Sequence, residues 1–242
     1  MTLKAVIFDV DGTLADTERD GHRPAFNAAF ADAGLSWHWD AALYGELLVV
    51  SGGKERITHY ARCFAPGFAA MPDFAERVRS LHAGKTGHYL AALKAGRIPL
   101  RGGVAALLDA VRARGLMLAI ATTTTRENVS GLLTAHLPSG VRDLDDWFAV
   151  IGAGDAVPHK KPAPDIYHHV LARLGLAAAD CLAVEDSRPG LCASLAAGLP
   201  TLITSNAYTQ QQDFSGALGV VPDLEDIPFS TLERWHTNSS IH

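Results

Sequence analysis

The chain has 242 residues, 48% of them hydrophobic and 19% charged, with Lys+Arg 21 against Asp+Glu 26 and a formal net charge of −5. That balance excludes a disordered acidic tail, a collagen-like repeat and a strongly basic nucleic-acid binder, and the length suits one large domain or a main domain carrying a smaller inserted one. Three cysteines, Cys63, Cys181 and Cys192, form no C-x-x-C spacing, and no apolar run approaches a signal-peptide core or the roughly 18 residues of a membrane span, so a cytoplasmic protein with no membrane or nucleic-acid partner is expected; a monomer is the working expectation, which these features do not fix.

Leu3 to Phe8 is a short apolar run that ends in Asp9-Val10-Asp11-Gly12-Thr13, as a buried parallel strand leading into a loop does. From about residue 17 to 95, apolar positions recur at helical spacing, as in Phe26, Phe30 and Ala33 or Leu81, Tyr89 and Leu93, with no buried strand among them; Trp37 and Trp39 are expected to pack this segment. Strand-like runs return at Leu116 to Ala121, Trp147 to Ile151, Cys181 to Val184 and Thr201 to Ile203. Between them lie helix-like stretches at Val104 to Arg114, Glu127 to Ala135, Asp165 to Leu174 and Leu191 to Ala197. The alternation predicts an α/β domain with a doubly wound parallel sheet over residues 1–16 and 96–242. The first crossover is far longer than the dozen or so residues a βαβ unit needs, which suits an inserted α-helical cap over residues 17–95, above the strand ends.

Ligands of an open parallel sheet sit outside the carboxyl ends of the strands. The residues that terminate the runs are Asp9 and Asp11, Thr122, Lys161 shortly after Ile151, and Glu185 with Asp186. Such a set suits magnesium-assisted phosphoryl transfer. Magnesium takes one or two carboxylates beside phosphate and water, here Asp9 and Asp186. Asp9 would attack phosphorus, and Asp11 would protonate the leaving alcohol and later deprotonate water. Lys161 would balance the gathered charge, Thr122 would hydrogen-bond a phosphoryl oxygen, and Gly12 would let backbone N–H groups approach the phosphate.

Asp9 to Leu14, the strand-terminal Thr122, Lys161-Pro162-Ala163-Pro164-Asp165 and Val184-Glu185-Asp186-Ser187 resemble the four motifs of the haloacid dehalogenase superfamily, in order and over almost the whole chain. The helical insert resembles the type 1 cap of the beta-phosphoglucomutase-like subfamily. Within it, Asp16-Thr17-Glu18, Gly52 to Ile57, Lys85-Thr86 and Lys160 to Tyr167 are similar to the CbbY group. That resemblance implies a magnesium-dependent sugar-phosphate phosphatase working through an aspartyl phosphate, with xylulose-1,5-bisphosphate as substrate. It also implies Asp9, the Asp11 carbonyl and Asp186 as metal ligands, and Glu18, Ser51, Gly52, Gly53, Lys54, Glu55, Arg56, Lys85, Thr122, Thr123, Arg126 and Lys161 as substrate contacts. Lys54 and Arg56 follow a Gly-Gly loop opening a helix, and Arg126 follows the threonines at another helix start, placements that suit a second phosphate.

The alternatives are weaker. A calcium loop starting at Asp9 would put Leu14 where Gly is needed and Asp20 where Glu is needed. Ala83-Gly84-Lys85-Thr86 mimics the end of a P-loop, yet Arg79 takes the first glycine's place and the segment reads as helix. Gly152-Ala153-Gly154 lacks the third glycine of a dinucleotide fingerprint. A signalling receiver domain has no need of a substrate lid. Phosphomutases of the subfamily carry a histidine after the Asp-Thr motif; here Gly21 falls at that place and His22 follows, which disfavours mutase chemistry unless a one-residue helix shift restores the contact.

Overall fold

In a computed structural model, the structure describes residues 2–50, 52–136, 143–154 and 156–239. The chain divides into two compact units, Met1–Asp16 with Pro99–His242, and Thr17–Ile98.

The first unit is built on a six-stranded parallel sheet of β1 (Ala5–Phe8), β2 (Met117–Ala121), β3 (Val150–Gly152), β4 (Cys181–Glu185), β5 (Thr201–Thr204) and β6 (Gly219–Val221), in the order β3-β2-β1-β4-β5-β6. Ala5 of β1 pairs with Met117 on one side and Cys181 on the other. The winding therefore reverses between β1 and β4, and a crevice opens at their carboxyl ends. The inner strands are buried on both faces, which explains their uninterrupted apolar runs. One face is paved with small side chains, Ala5, Ala119, Ala121 and Ala183, and packs against Ile166, Tyr167 and Val170, all fully buried.

Those three residues belong to the helix Asp165–Leu174, one of four that connect the strands, with Val104–Ala113, Arg126–Thr134 and Arg188–Ala196. The last begins three residues before the apolar periodicity does, because the Ser187 hydroxyl accepts the Gly190 N–H and Pro189 takes a first-turn position. Several expectations need correction. Trp147 and Phe148 are buried but precede β3: the Asp143 side chain accepts the Asp145 N–H and a single 3-10 turn over Leu144–Asp146 occupies the approach to the strand. The edge strand β6 is too short to show alternation, and the terminal helix Phe229–Ser239, which buries Phe229, Leu232 and His236 at helical spacing, is not among the expected elements.

The second unit is helical, with a π-helical turn over Thr17–His22 followed by α-helices Arg23–Asp32, Ala41–Leu47, Gly53–Phe64, Pro66–Ala69 and Phe74–Lys94. Its core is aromatic. Trp39 is fully buried, with ring centroids 4.7 Å from Phe26, 4.8 Å from Phe30 and 5.4 Å from Tyr60. Asn27 grips the Trp39 backbone at both ends, accepting its N–H at 2.8 Å and donating to its carbonyl at 2.9 Å. Trp37 packs between Phe68, at 4.7 Å, and Tyr60, at 5.1 Å. Trp39→Ala should therefore cost about 3–5 kcal/mol; denaturant unfolding measures it, and a loss below about 1 kcal/mol, the ordinary surface scale, would mean that Trp39 does not organise this core.

Candidate active site

Four strand ends supply the site. Asp9 continues β1 by donating its N–H to the Val184 carbonyl at 3.0 Å, and Thr122 continues β2 by donating to Gly152 at 2.9 Å. Lys161 follows β3, and Asp186 follows β4 directly. The Lys161 ammonium is buried and donates to three oxygens: Asp9 Oδ1 at 2.7 Å, Glu185 Oε1 at 2.5 Å and the Ala121 carbonyl at 2.8 Å. Glu185 Oε1 also accepts the Tyr167 hydroxyl at 2.5 Å, and the Lys161 ammonium lies 5.1 Å from the centre of the Tyr167 ring.

Asp9, Glu185 and Asp186 are all buried, with one ligand oxygen from each lying within 4.8 Å of the others. Three buried carboxylates stand against one ammonium, a formal excess of two negative charges when all are ionised. Burial, reinforced by the charges of Asp9 and Glu185, pushes the Asp186 carboxyl well above the usual range. Burial likewise raises Glu185 to about 7, against the opposing pull of Lys161. For Lys161, burial alone would favour the neutral amine, but Asp9 and Glu185 outweigh it and hold the ammonium charged. A hard all-oxygen donor set fits a small divalent cation, whose charge would favour the ionised carboxylates that burial disfavours.

The loop after β1 is shaped around these groups. Gly12 has φ +91°, and a side chain there would collide with Asp186 Oδ2. Asp11 is half-buried on the same loop. Gly190 answers a matching need, since a Cβ at that position would strike the Glu185 carboxylate. Among the threonines, Thr125 caps its helix through the Asn128 N–H and Thr124 accepts from the Asn128 side chain at 3.2 Å. Thr123 is exposed. Thr122 is buried and accepts the Thr124 N–H at 3.2 Å, so its hydroxyl proton stays available for donation.

Other predicted residues have different settings. Arg126 is half exposed and donates to both oxygens of Asp145, at 2.7 and 2.8 Å. Ser51 lies outside the described residues. In the helical unit Gly52, Lys54 and Glu55 are exposed, Gly53 is half-buried, and Gly52 carries φ +92° at the start of the Gly53–Phe64 helix. Arg56 is buried, donating to the Tyr44 hydroxyl at 2.9 Å and the Leu47 carbonyl at 3.2 Å; Tyr44 in turn donates to Glu18. Lys85, also buried, lies 5.1 Å from the ring centres of both Phe26 and Tyr89.

The π-helical turn at Thr17–His22 takes up one extra residue, the shift that a strict α-helical register would not allow. Within that unit it brings His22 against Lys85, whose ammonium donates to Nδ1 at 2.8 Å, and stacks the ring 4.0 Å from Tyr89.

Sequence reasoning passed over three supporting residues. The sequence marks Tyr167 only as the last residue of the stretch Lys160 to Tyr167. Asn206 donates to Asp186 Oδ2 at 2.7 Å from the loop after β5. Arg101 is buried and donates to the carbonyls of Gly12, Thr204, Ser205 and Pro222, while its Nε lies 3.4 Å from Asp16. The signal that could have found Arg101 is its position at the return of the insertion; no periodicity marks it.

A crevice at the switch point of a parallel sheet, walled by carboxylates and one lysine, with a helical unit inserted after the first strand, defines a hydrolase of the haloacid dehalogenase kind. The chain belongs to that family: the haloacid dehalogenase-like hydrolase model matches residues 3–198. Within it the resemblance is to the CbbY proteins. The chain is 52% identical over 227 residues to the plasmid-encoded protein CbbY of Cupriavidus necator, covering 93% of this chain and 87% of that one, and 48% identical to protein CbbY of Rhodobacter capsulatus, covering 93% and 95%. The crystal structure of CbbY from Rhodobacter sphaeroides with phosphate superposes with TM-score 0.74 at 39% identity, over 93% of this chain and 96% of that one. An Asp-to-Asn variant of that protein, in complex with xylulose-(1,5)bisphosphate, gives TM-score 0.73 at 38% identity over the same shares.

One pH dependence follows from the helical unit. Burial, aided by the positive charges of Lys85 and Arg56 and opposed by Glu18, lowers the His22 pKa from 6.5 to about 4. Between those values the unfolded chain binds more protons, so the contribution of neutral His22 is complete above pH 6.5 and is lost as pH falls toward 4. Urea unfolding between pH 7 and pH 4.5 should show wild type losing stability more steeply than His22→Gln. Parallel curves would mean that the ring titrates alike in both states.

Proposed function

We propose that the protein is a magnesium-dependent phosphatase of sugar bisphosphates, with xylulose-1,5-bisphosphate as the substrate class. The observation that carries the reading is the buried group Asp9, Glu185 and Asp186 around Lys161. It is supported by the identity to CbbY proteins and by the sugar bisphosphate bound to one of them. Asp9, the Asp11 carbonyl and Asp186 would hold the magnesium ion, which supplies charge neutralisation between carboxylate and phosphate when bound.

The chain's own residues then divide the work. An Asp9 oxygen attacks phosphorus as the bond from phosphorus to the sugar oxygen breaks, and Asp11 delivers a proton to that oxygen. Water next attacks the aspartyl phosphate; Asp11 takes its proton, and phosphate leaves with the Asp9 carboxylate restored. Lys161 pairs with Asp9 and orients it, and the Thr122 hydroxyl donates to a phosphoryl oxygen. Glu18, Lys54, Arg56 and Lys85 of the helical unit take the sugar and its second phosphate, with Gly52, Gly53 and Glu55 shaping that end and Ser51, Thr123 and Arg126 contributing further contacts.

Phosphate release from xylulose-1,5-bisphosphate should require magnesium, stop in excess chelator and vanish in Asp9→Asn. Turnover in chelator, or by Asp9→Asn, rejects the mechanism. Lys54 is the cleaner probe of the second phosphate, because Arg56 and Lys85 are buried and their removal would also disturb packing. Lys54→Ala should lower kcat/KM for the bisphosphate by about 10- to 150-fold, the value of one charge-assisted hydrogen bond, and change hydrolysis of an aryl phosphate far less. Equal losses on both substrates would assign Lys54 to stability instead.

The position of His22 beside Lys85 favours a second reading, a phosphomutase with the same core chemistry. Product analysis separates the two: a phosphatase releases inorganic phosphate stoichiometrically, whereas a mutase returns it to the sugar.

A further inference from the structure

Asp186 is gripped from a loop that the catalytic scheme does not use. Asn206 stands two residues beyond β5, and its Nδ2 donates to Asp186 Oδ2 at 2.7 Å. The amide cannot turn around, because its Oδ1 accepts the Tyr208 N–H at 2.9 Å, which leaves only the NH2 end to face the carboxylate. The loop is itself braced: Asn206 donates its backbone N–H to the Thr209 hydroxyl at 3.0 Å, and the preceding Ser205 carbonyl accepts from Arg101 at 2.7 Å. Asn206 also shares the space left by Gly12, where a side chain would collide with Asp186 and lie 2.9 Å from Asn206 Nδ2.

We infer that Asn206 is a positioning residue that fixes the rotamer of Asp186 so that its carboxylate is ready for a divalent cation shared with Asp9. The inference rests on the metal-dependent reading above. Its chemistry depends on the amide's neutrality: a lysine or arginine at this place would hold Asp186 equally well but would cancel the charge that attracts the cation. An amide donor orients the carboxylate and leaves its charge in place. Outer-shell partners of this kind carry a substantial share of metal affinity.

The test is magnesium binding to the full chain without substrate, followed by isothermal titration calorimetry, for wild type, Asn206→Ala, Asn206→Ser and Thr209→Ala. Serine keeps an oxygen able to accept the Tyr208 N–H but is too short to reach Asp186. Thr209→Ala loosens the same loop while sparing the amide. Both Asn206 variants should bind magnesium about 10- to 100-fold more weakly, and Thr209→Ala should keep the wild-type affinity. Unchanged affinity in the Asn206 variants overturns the inference, as does equal weakening in all three, which would make the loop's folding the cause. A wild-type protein that binds no magnesium overturns the metal reading itself, a failure visible before any substitution.

Discussion

One ammonium set among three buried carboxylates is the constraint around which the first unit is organised. Asp9, Glu185 and Asp186 stand at the ends of the two neighbouring parallel strands between which the winding reverses, and Lys161 satisfies two of them and a main-chain carbonyl at once. Burying such a cluster is costly unless each charge is paired and hydrogen-bonded. The surroundings meet that demand. Alanines pave the sheet face against which Tyr167 packs, and the phenol shares Glu185 with the lysine. Glycines stand where any side chain would press on Glu185 or Asp186. Even so, the cluster has more carboxylates than its single lysine can pair, and that surplus of oxygen donors is what makes it receptive to a cation.

The helical unit solves a different problem with the same means. Arg56, Lys85, Glu18 and His22 are charged or titratable groups close to an aromatic core, and each is tied to a neighbour: Arg56 to Tyr44, Tyr44 to Glu18, Lys85 to His22. Aromatic faces help to hold the cations, with Arg56 lying 5.2 Å from the Tyr44 ring centre and Lys85 5.1 Å from that of Phe26. Polar groups held this way are already oriented before any ligand arrives, which lowers the ordering cost of binding a charged ligand.

Legibility in the sequence follows the distance over which a residue acts. Asp9, Thr122 and Asp186 could be read because each stands at or just beyond the end of an apolar run, and Lys161 because it follows the run ending at Ile151 in a Lys-Pro motif; the fold turns those local features into a shared location. The helices were legible where their buried faces repeat, as in Asp165–Leu174, and their ends where propensity is clear. Asn206, Arg101 and Tyr167 were not, because their meaning lies in partners between 18 and 121 residues away; periodicity marks Tyr167 only as a core residue of its helix and does not reach Asn206 or Arg101. The three-residue β6 is too short to show alternation. At His22 the difficulty was one of register: counting α-helical turns from Thr17 misplaces the ring, since the backbone there winds with five-residue hydrogen bonds.

Arg101 has a consequence beyond the site. It lies where the chain re-enters the first unit, and Ala15 and Leu100 form an antiparallel bridge just before it, with Arg101 donating its N–H to the Leu14 carbonyl at 2.9 Å. The points of departure and return are thus joined within the sheet unit, and the whole insertion hangs from a closed stem. To the unit that holds the stem, the insertion is a loop, and lengthening a loop is inexpensive: each doubling adds only about 0.6 kcal/mol of closure entropy. Arg101 and the bridge therefore act as a socket. Helices can be added, lost or exchanged within the insertion while the strand register and the carboxylate cluster stay as they are, so that the two units can evolve as separate pieces of one chain.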